Sequence, residues 1–223
     1  MNKKARVYED LKRQIISIEL APGAPINEAQ IALQLGVSKT PLREALTQLE
    51  SDGFVDNVPA RGSSVSQITA REIDNVLQIR EIIEIGVAKR VAAVGGTPAL
   101  LRERDATATM LRTRDTLAEY VYEWGLCEDV HLVLVQALGN NLLIGVYGRL
   151  MDRITRIRNY YGNRFTKRRL HDIVTEHIAI LDAIVCGDTV TAEQMMTQHL
   201  QNARAFLGGL TDQENGVKQW SMS

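Results

Sequence analysis

The sequence predicts a mainly α protein in two parts, with one small β hairpin near the N-terminus. Three observations predict it. Residues 31–46 read as helix, tight turn, helix. Two short segments, Phe54-Val55 and Ser64-Val65-Ser66, flank a Pro/Gly-containing stretch and read as paired strands. From residue 69 onward, Leu, Ile, Val and Ala recur at helical spacing, and the whole chain holds only five prolines. Three helices closed by a hairpin make a winged helix-turn-helix. The remainder makes an all-α helical bundle.

The first helix is expected over residues 5–18, where Val7, Leu11 and Ile15 fall at i, i+4 and i+8. Pro22-Gly23 turns the chain. Asn27 with Gln30 forms a capping pair for the second helix, whose apolar side is Ala29, Ile31, Ala32 and Leu35. Gly36 ends it, because glycine accepts the left-handed backbone that a helix terminus often requires. Ser38 stands where an N-cap belongs, and Pro41 in the following turn loses nothing by lacking an N–H. The third helix, from about Thr40 to Ser51, buries Leu42, Ala45, Leu46 and Leu49. Lys39, Thr40, Arg43 and Glu44 lie off that face near the helix start. A helix that buries one side and presents such residues at its leading end has the layout of a recognition helix in a major groove. The wing tip is Arg61-Gly62, an arginine for phosphate or minor groove beside a glycine that permits close approach. Ser38 adds a hydroxyl for a phosphate.

The order and spacing of these residues resemble a known family. Leu20-x-Pro22-Gly23, the run from Leu35 to Leu46, Leu49-x3-Gly53-Phe54-Val55 and Pro59-x-Arg61-Gly62 are similar to the DNA-binding domain of GntR-family bacterial transcription regulators. The resemblance implies contact with double-stranded DNA through Ser38, Lys39, Thr40, Arg43, Glu44, Arg61 and Gly62. Two positions depart from the family pattern. Lys39 replaces the usual arginine, a point charge instead of a bidentate fork, and Ala29 stands about where some relatives carry a DNA-facing arginine.

A boundary is expected near residues 67–70, giving a DNA-binding domain over 1–68, a bundle over 69–210 and a tail over 211–223. The bundle helices read as Thr69 to about Val94, Ala99–Arg114, about Thr116–Leu138, Asn141–Tyr161, Thr166–Val185 and Thr191–Leu207, with Gly208-Gly209 as the stop. His131, His177 and His199 lie on three of these helices, an arrangement that can build a metal site inside a bundle. Arg149, Arg153 and Arg156 recur at i, i+4 and i+7, a cationic stripe suited to an anionic ligand. Arg80 is either a further ligand clamp or half of an i,i+4 pair with Glu84.

This half resembles the FadR-like (FCD) effector domain of the same family, through Arg80-x3-Glu84, His131 ahead of Gly139-Asn140, Glu176-His177 and His199-Leu200. The resemblance implies a homodimer sensing a small, often carboxylate, effector, in many cases with a metal held by one Asp and three His. The Asp position falls on Cys127. Cys127 as a thiolate ligand, three histidines with water, and no metal at all are the three alternatives. A Cys/His set favours zinc, with nickel or another transition metal as alternatives. Three histidines with an open position also describe a metal-dependent hydrolase or lyase, the alternative to a regulator that is not an enzyme.

The composition constrains this further. Net charge is −1, so DNA binding has to come from local clusters and not from the sum. No apolar run is long enough to span a membrane, no secretion signal is read at the N-terminus, and the two cysteines make no disulfide framework. These features lead to an expected cytoplasmic location.

Overall fold

The computed structural model describes residues 2–58, 62–113 and 130–220. The chain divides into two compact units, residues 1–69 with 152–160, and residues 70–151 with 161–223.

The first unit is three helices and a hairpin: α1 (Lys3–Ile16), α2 (Glu28–Leu35), α3 (Lys39–Ser51), β1 (Val55–Val58) and β2 (Gly62–Val65). Asn2 and Asn27 cap α1 and α2 by accepting the backbone N–H of Lys4 and Gln30. Gly36 closes α2 at φ 62°, ψ 39°. α3 starts one residue earlier than expected, and Ser38 occupies its cap position without making the side-chain cap bond. The strands pair antiparallel, Val55 opposite Val65 and Val58 opposite Gly62. They run closer to the tip than the sequence indicated, because Asn57 and Ser63 extend the ladder and bond each other through their side chains. Val7, Leu11, Ile15, Ile26, Leu42, Ala45, Leu46, Leu49, Phe54, Val55 and Val65 form one core. Ile31, Ala32 and Leu35 lean on it, but Ala29 is exposed.

Residues 152–160 complete this unit. Arg153 Nη2 donates to Asp52 O at 2.5 Å, Lys12 pairs with Asp152, and Asn159 donates to Ile16 O. Arg156, fully buried, donates to Ser66 Oγ at 3.0 Å and to Ser66 O. Arg156→Met should therefore leave a buried carbonyl without its charged donor and destabilise this unit by about 1–3 kcal/mol. Native-state hydrogen exchange of the α3 and hairpin amides would read that loss.

The second unit is a helical bundle: α4 (Ala70–Val94), α5 (Pro98–Thr113), α6 (Val130–Ala137), the first half of α7 (Asn141–Tyr160), α8 (Lys167–Val185) and α9 (Thr189–Trp220), with a 3₁₀ turn at Gly162–Arg164. α9 packs along α4 and α8, α5 against α8 and α6, and α4 against α6 and α8. The core includes Leu77, Val87, Val91, Leu100, Leu134, Ile180, Leu181, Ile184, Met196 and Leu200.

α9 does not stop at Gly208-Gly209 but continues to Trp220, so most of the expected tail is helical. Neither glycine takes positive φ. Leu207 and Thr211 are buried on either side of them, and Thr211 Oγ1 bonds Gly208 O. Burial on both sides offsets a helix penalty of about 1 kcal/mol per glycine. Among the described residues no helix is long and apolar enough to cross a membrane.

Candidate functional site

Two sets of residues stand out, one in each unit. In the first, Ser38, Lys39, Thr40, Arg43 and Glu44 are all exposed at the start of α3 while Leu42, Ala45, Leu46 and Leu49 anchor its other face. The Ser38 hydroxyl makes no cap bond. Arg43 Nε lies 3.0 Å from Glu28 Oε2, a pair that sequence reasoning did not anticipate. An exposed pair of this kind is worth at most about 1 kcal/mol, so it orients the guanidinium without fixing it. Gly62 opens β2 at φ 83° and is exposed. Arg61 lies outside the described residues.

The second unit brings His131 of α6, His177 of α8 and His199 of α9 together. One ligand nitrogen from each lies within 4.8 Å of the others, and the ring centroids are 4.8–5.1 Å apart. The fourth histidine, His171, is exposed and outside the cluster. Cys127, with the neighbouring Glu128 and Asp129, lies outside the described residues.

Each buried histidine has a carboxylate behind it. Glu84, 1% exposed, sits 2.8 Å from His131 Nδ1 and accepts from Tyr147 Oη at 2.7 Å and from Arg80 Nε at 2.7 Å. Burial pushes the Glu84 carboxyl up, but Arg80 and His131 outweigh it and hold it well below the usual carboxylate range. Glu176 Oε2 lies 2.6 Å from His199 Nδ1, and its Oε1 accepts from Asn202 and Arg169. Burial lowers the His199 pKa to about 4 despite the Glu176 hydrogen bond, so His199 is neutral near pH 7 and its other nitrogen offers a lone pair. A neutral imidazole backed by a carboxylate, as at His199, is the usual donor of a transition-metal site, and the chemistry of the residues present fits a divalent cation.

The partners Glu84, Tyr147 and Glu176 were not singled out from the sequence as parts of this site. Glu84 and Glu176 did carry a signal, standing in the motifs Arg80-x3-Glu84 and Glu176-His177. Arg80 is itself buried and within 3.1 Å of His131 Nε2, so the pair is not a surface one worth a few tenths of a kcal/mol.

The arginine stripe is shared between the two units. Arg153 and Arg156 fall in the first, where they donate to Asp52 O and to Ser66. Arg149, in the second unit, is exposed.

Comparison with known proteins agrees with both halves. The family described as bacterial regulatory proteins, gntR family, matches residues 3–65, and the FCD domain matches residues 75–202. The HTH-type transcriptional repressor RspR of Escherichia coli K12 is 27% identical over 197 residues, 88% of this chain and 85% of that one. The solved structure of E. coli McbR/YncC superposes with a TM-score of 0.72 at 23% identity, covering 94% of this chain and 99% of that one. A zinc-bound FCD domain covers 65% of this chain and 98% of its own, with a TM-score of 0.52 at 20% identity. The gntR family model and RspR are of transcription regulators, which sets aside the hydrolase or lyase alternative. The chain belongs to the GntR family and is a transcription regulator with an N-terminal winged helix-turn-helix and a C-terminal FCD domain.

Proposed function

We propose that this regulator binds palindromic operator DNA as a homodimer and senses a small anionic effector in its FCD domain, beside a divalent metal held by His131, His177 and His199. The observation that carries the sensing half is the His cluster, with two of its rings buried and backed by Glu84 and Glu176. Arg80 is the cation closest to hand for an effector carboxylate, and Arg149 is a second. Zinc suits this donor set, and nickel is the alternative. A zinc-bound FCD domain supports the metal, and the name of RspR supports repression as the output. When bound, the metal would supply a Lewis-acid coordination point for the effector. The domain limits proposed are 1–68 for DNA binding and 69–210 for sensing and dimerisation, in the cytoplasm.

Each winged helix would read one half-site with Lys39, Thr40, Arg43 and Glu44, held in register by Ser38 and by the wing at Arg61 and Gly62. An effector changes DNA affinity by its differential affinity for the two states of the dimer. Selection of duplexes from a random pool at physiological salt should enrich a palindrome; an unenriched pool would overturn the proposal. Arg43→Ala should cost about 1–3 kcal/mol of operator affinity and relax preference at one base pair. Lys39→Ala, if the lysine meets phosphate, should instead flatten the log–log salt slope by about one.

A further inference from the structure

His131 is approached at both ring nitrogens. Its Nδ1 lies 2.8 Å from Glu84 Oε2 and its Nε2 lies 3.1 Å from Arg80 Nη2. Arginine offers only donors and keeps its proton in proteins. The Nε2 atom therefore takes this contact through its lone pair, and the arginine contact sets the tautomer, with the ring proton on Nδ1 at 2.8 Å from Glu84 Oε2. The lone pair itself is already engaged by Arg80. An imidazole nitrogen has a single lone pair in the ring plane, so it cannot accept from a guanidinium and coordinate a cation together. All three groups are buried, with Arg80 8%, Glu84 1% and His131 4% exposed. Water therefore screens the guanidinium's positive charge little, and that charge also opposes a dication at the same nitrogen.

We infer that Arg80 is an internal competitor for the metal at His131, so that the three-histidine site takes up a divalent cation only as the Arg80 Nη2 leaves the imidazole. This rests on the reading of the histidine cluster as a metal centre. Arg80 donates to Glu84 twice, Nε to Oε1 at 2.7 Å and Nη2 to Oε2 at 3.2 Å; the Nε bond gives the guanidinium a point about which to turn, and the turn gives up the Nη2 bond. The N–H released by the metal is then free to donate to an anion. Metal uptake and the unmasking of an anion-binding donor become one event. By linkage, an anion that occupies Arg80 tightens the metal, and the metal tightens the anion by the same factor.

The test uses the full-length protein stripped of metal. Zinc is titrated in competition with a chromophoric chelator, with and without acetate as the anion probe. Arg80→Met, which removes the donor and the charge at similar bulk, should bind zinc about tenfold or more tightly than the wild type. Acetate should tighten zinc binding in the wild type and leave Arg80→Met unmoved. If Arg80→Met does not fold, the comparison moves to Arg80→Met/Glu84→Gln against Glu84→Gln alone. That pair carries no unpaired buried acid and keeps an oxygen at position 84. Equal zinc affinity with and without Arg80 overturns the competition and leaves the metal site standing. Weaker binding without Arg80 overturns it too, and makes the arginine a support of the site. No stoichiometric zinc in any variant overturns both the metal reading and this inference.

Discussion

Replacing Glu84 with leucine should destabilise the second unit by about 3–5 kcal/mol, the cost of breaking a buried ion pair by removing one partner. The carboxylate takes hydrogen bonds from Arg80 and Tyr147 and faces His131, each of them buried. Without it the Arg80 guanidinium loses both carboxylate oxygens to which it donates, and Tyr147 Oη loses an acceptor at 2.7 Å. The loss should appear as a shift of roughly 10 °C in the melting of the bundle, at about 2–4 °C per kcal/mol for a chain of this size. Glu84→Gln should cost less, because the amide oxygen still accepts from one neighbour. Arg80→Met/Glu84→Leu should recover most of the loss, since a neutral, well-packed pair leaves no charge to desolvate. A double variant as unstable as the single would show that packing around Glu84, and not its charge, holds the bundle. Thermal unfolding followed by circular dichroism, together with urea titration of the same set, separates these outcomes.

This network shows where the sequence was legible and where it was not. Local chemistry was readable: Asn27 capping α2, Gly36 in the left-handed conformation, and Leu42, Ala45, Leu46 and Leu49 buried along α3 all follow from short-range rules. Such features depend on residues within one or two turns of each other. The three histidines were readable as a set because each falls on a different helix, although no spacing rule could say that their rings meet. The support behind them was hidden. Glu84 to Tyr147 spans 63 residues and Glu176 to His199 spans 23, and neither separation carries a periodicity. The arginine stripe was legible as a spacing and not as a placement. Arg149, Arg153 and Arg156 share a helical spacing, but the unit boundary falls between residues 151 and 152, so Arg149 lies in the second unit and Arg153 and Arg156 in the first. The Gly208-Gly209 stop failed because burial of Leu207 and Thr211 outweighed intrinsic propensity.

Zinc at a thousandfold excess over its dissociation constant should stabilise the second unit by about 4 kcal/mol, since a ligand that binds only the folded state stabilises by RT ln(1 + [L]/Kd). His199→Ala should abolish that gain by removing one of three nitrogens that lie within 4.8 Å of one another. Glu176→Gln is the more discriminating change. Its oxygen can still accept from His199 Nδ1, now 2.6 Å from Glu176 Oε2, but the negative charge that raises the basicity of the ring is gone. Zinc affinity should fall about 10–100-fold while the fold survives, the usual effect of altering a partner behind a metal ligand. Arg169 and Asn202 also donate to this carboxylate, so Asn202→Ala should produce a smaller loss in the same direction. His171→Ala, on the exposed side of α8, should change nothing. If zinc stabilises His199→Ala as strongly as the wild type, the metal binds elsewhere, and the buried cluster is then a hydrogen-bonded core whose carboxylates serve stability alone. If the gain vanishes with His199 and weakens with Glu176, the carboxylates hold the rings for a cation. The sensing half of the protein is then organised from Glu84 and Glu176 inward.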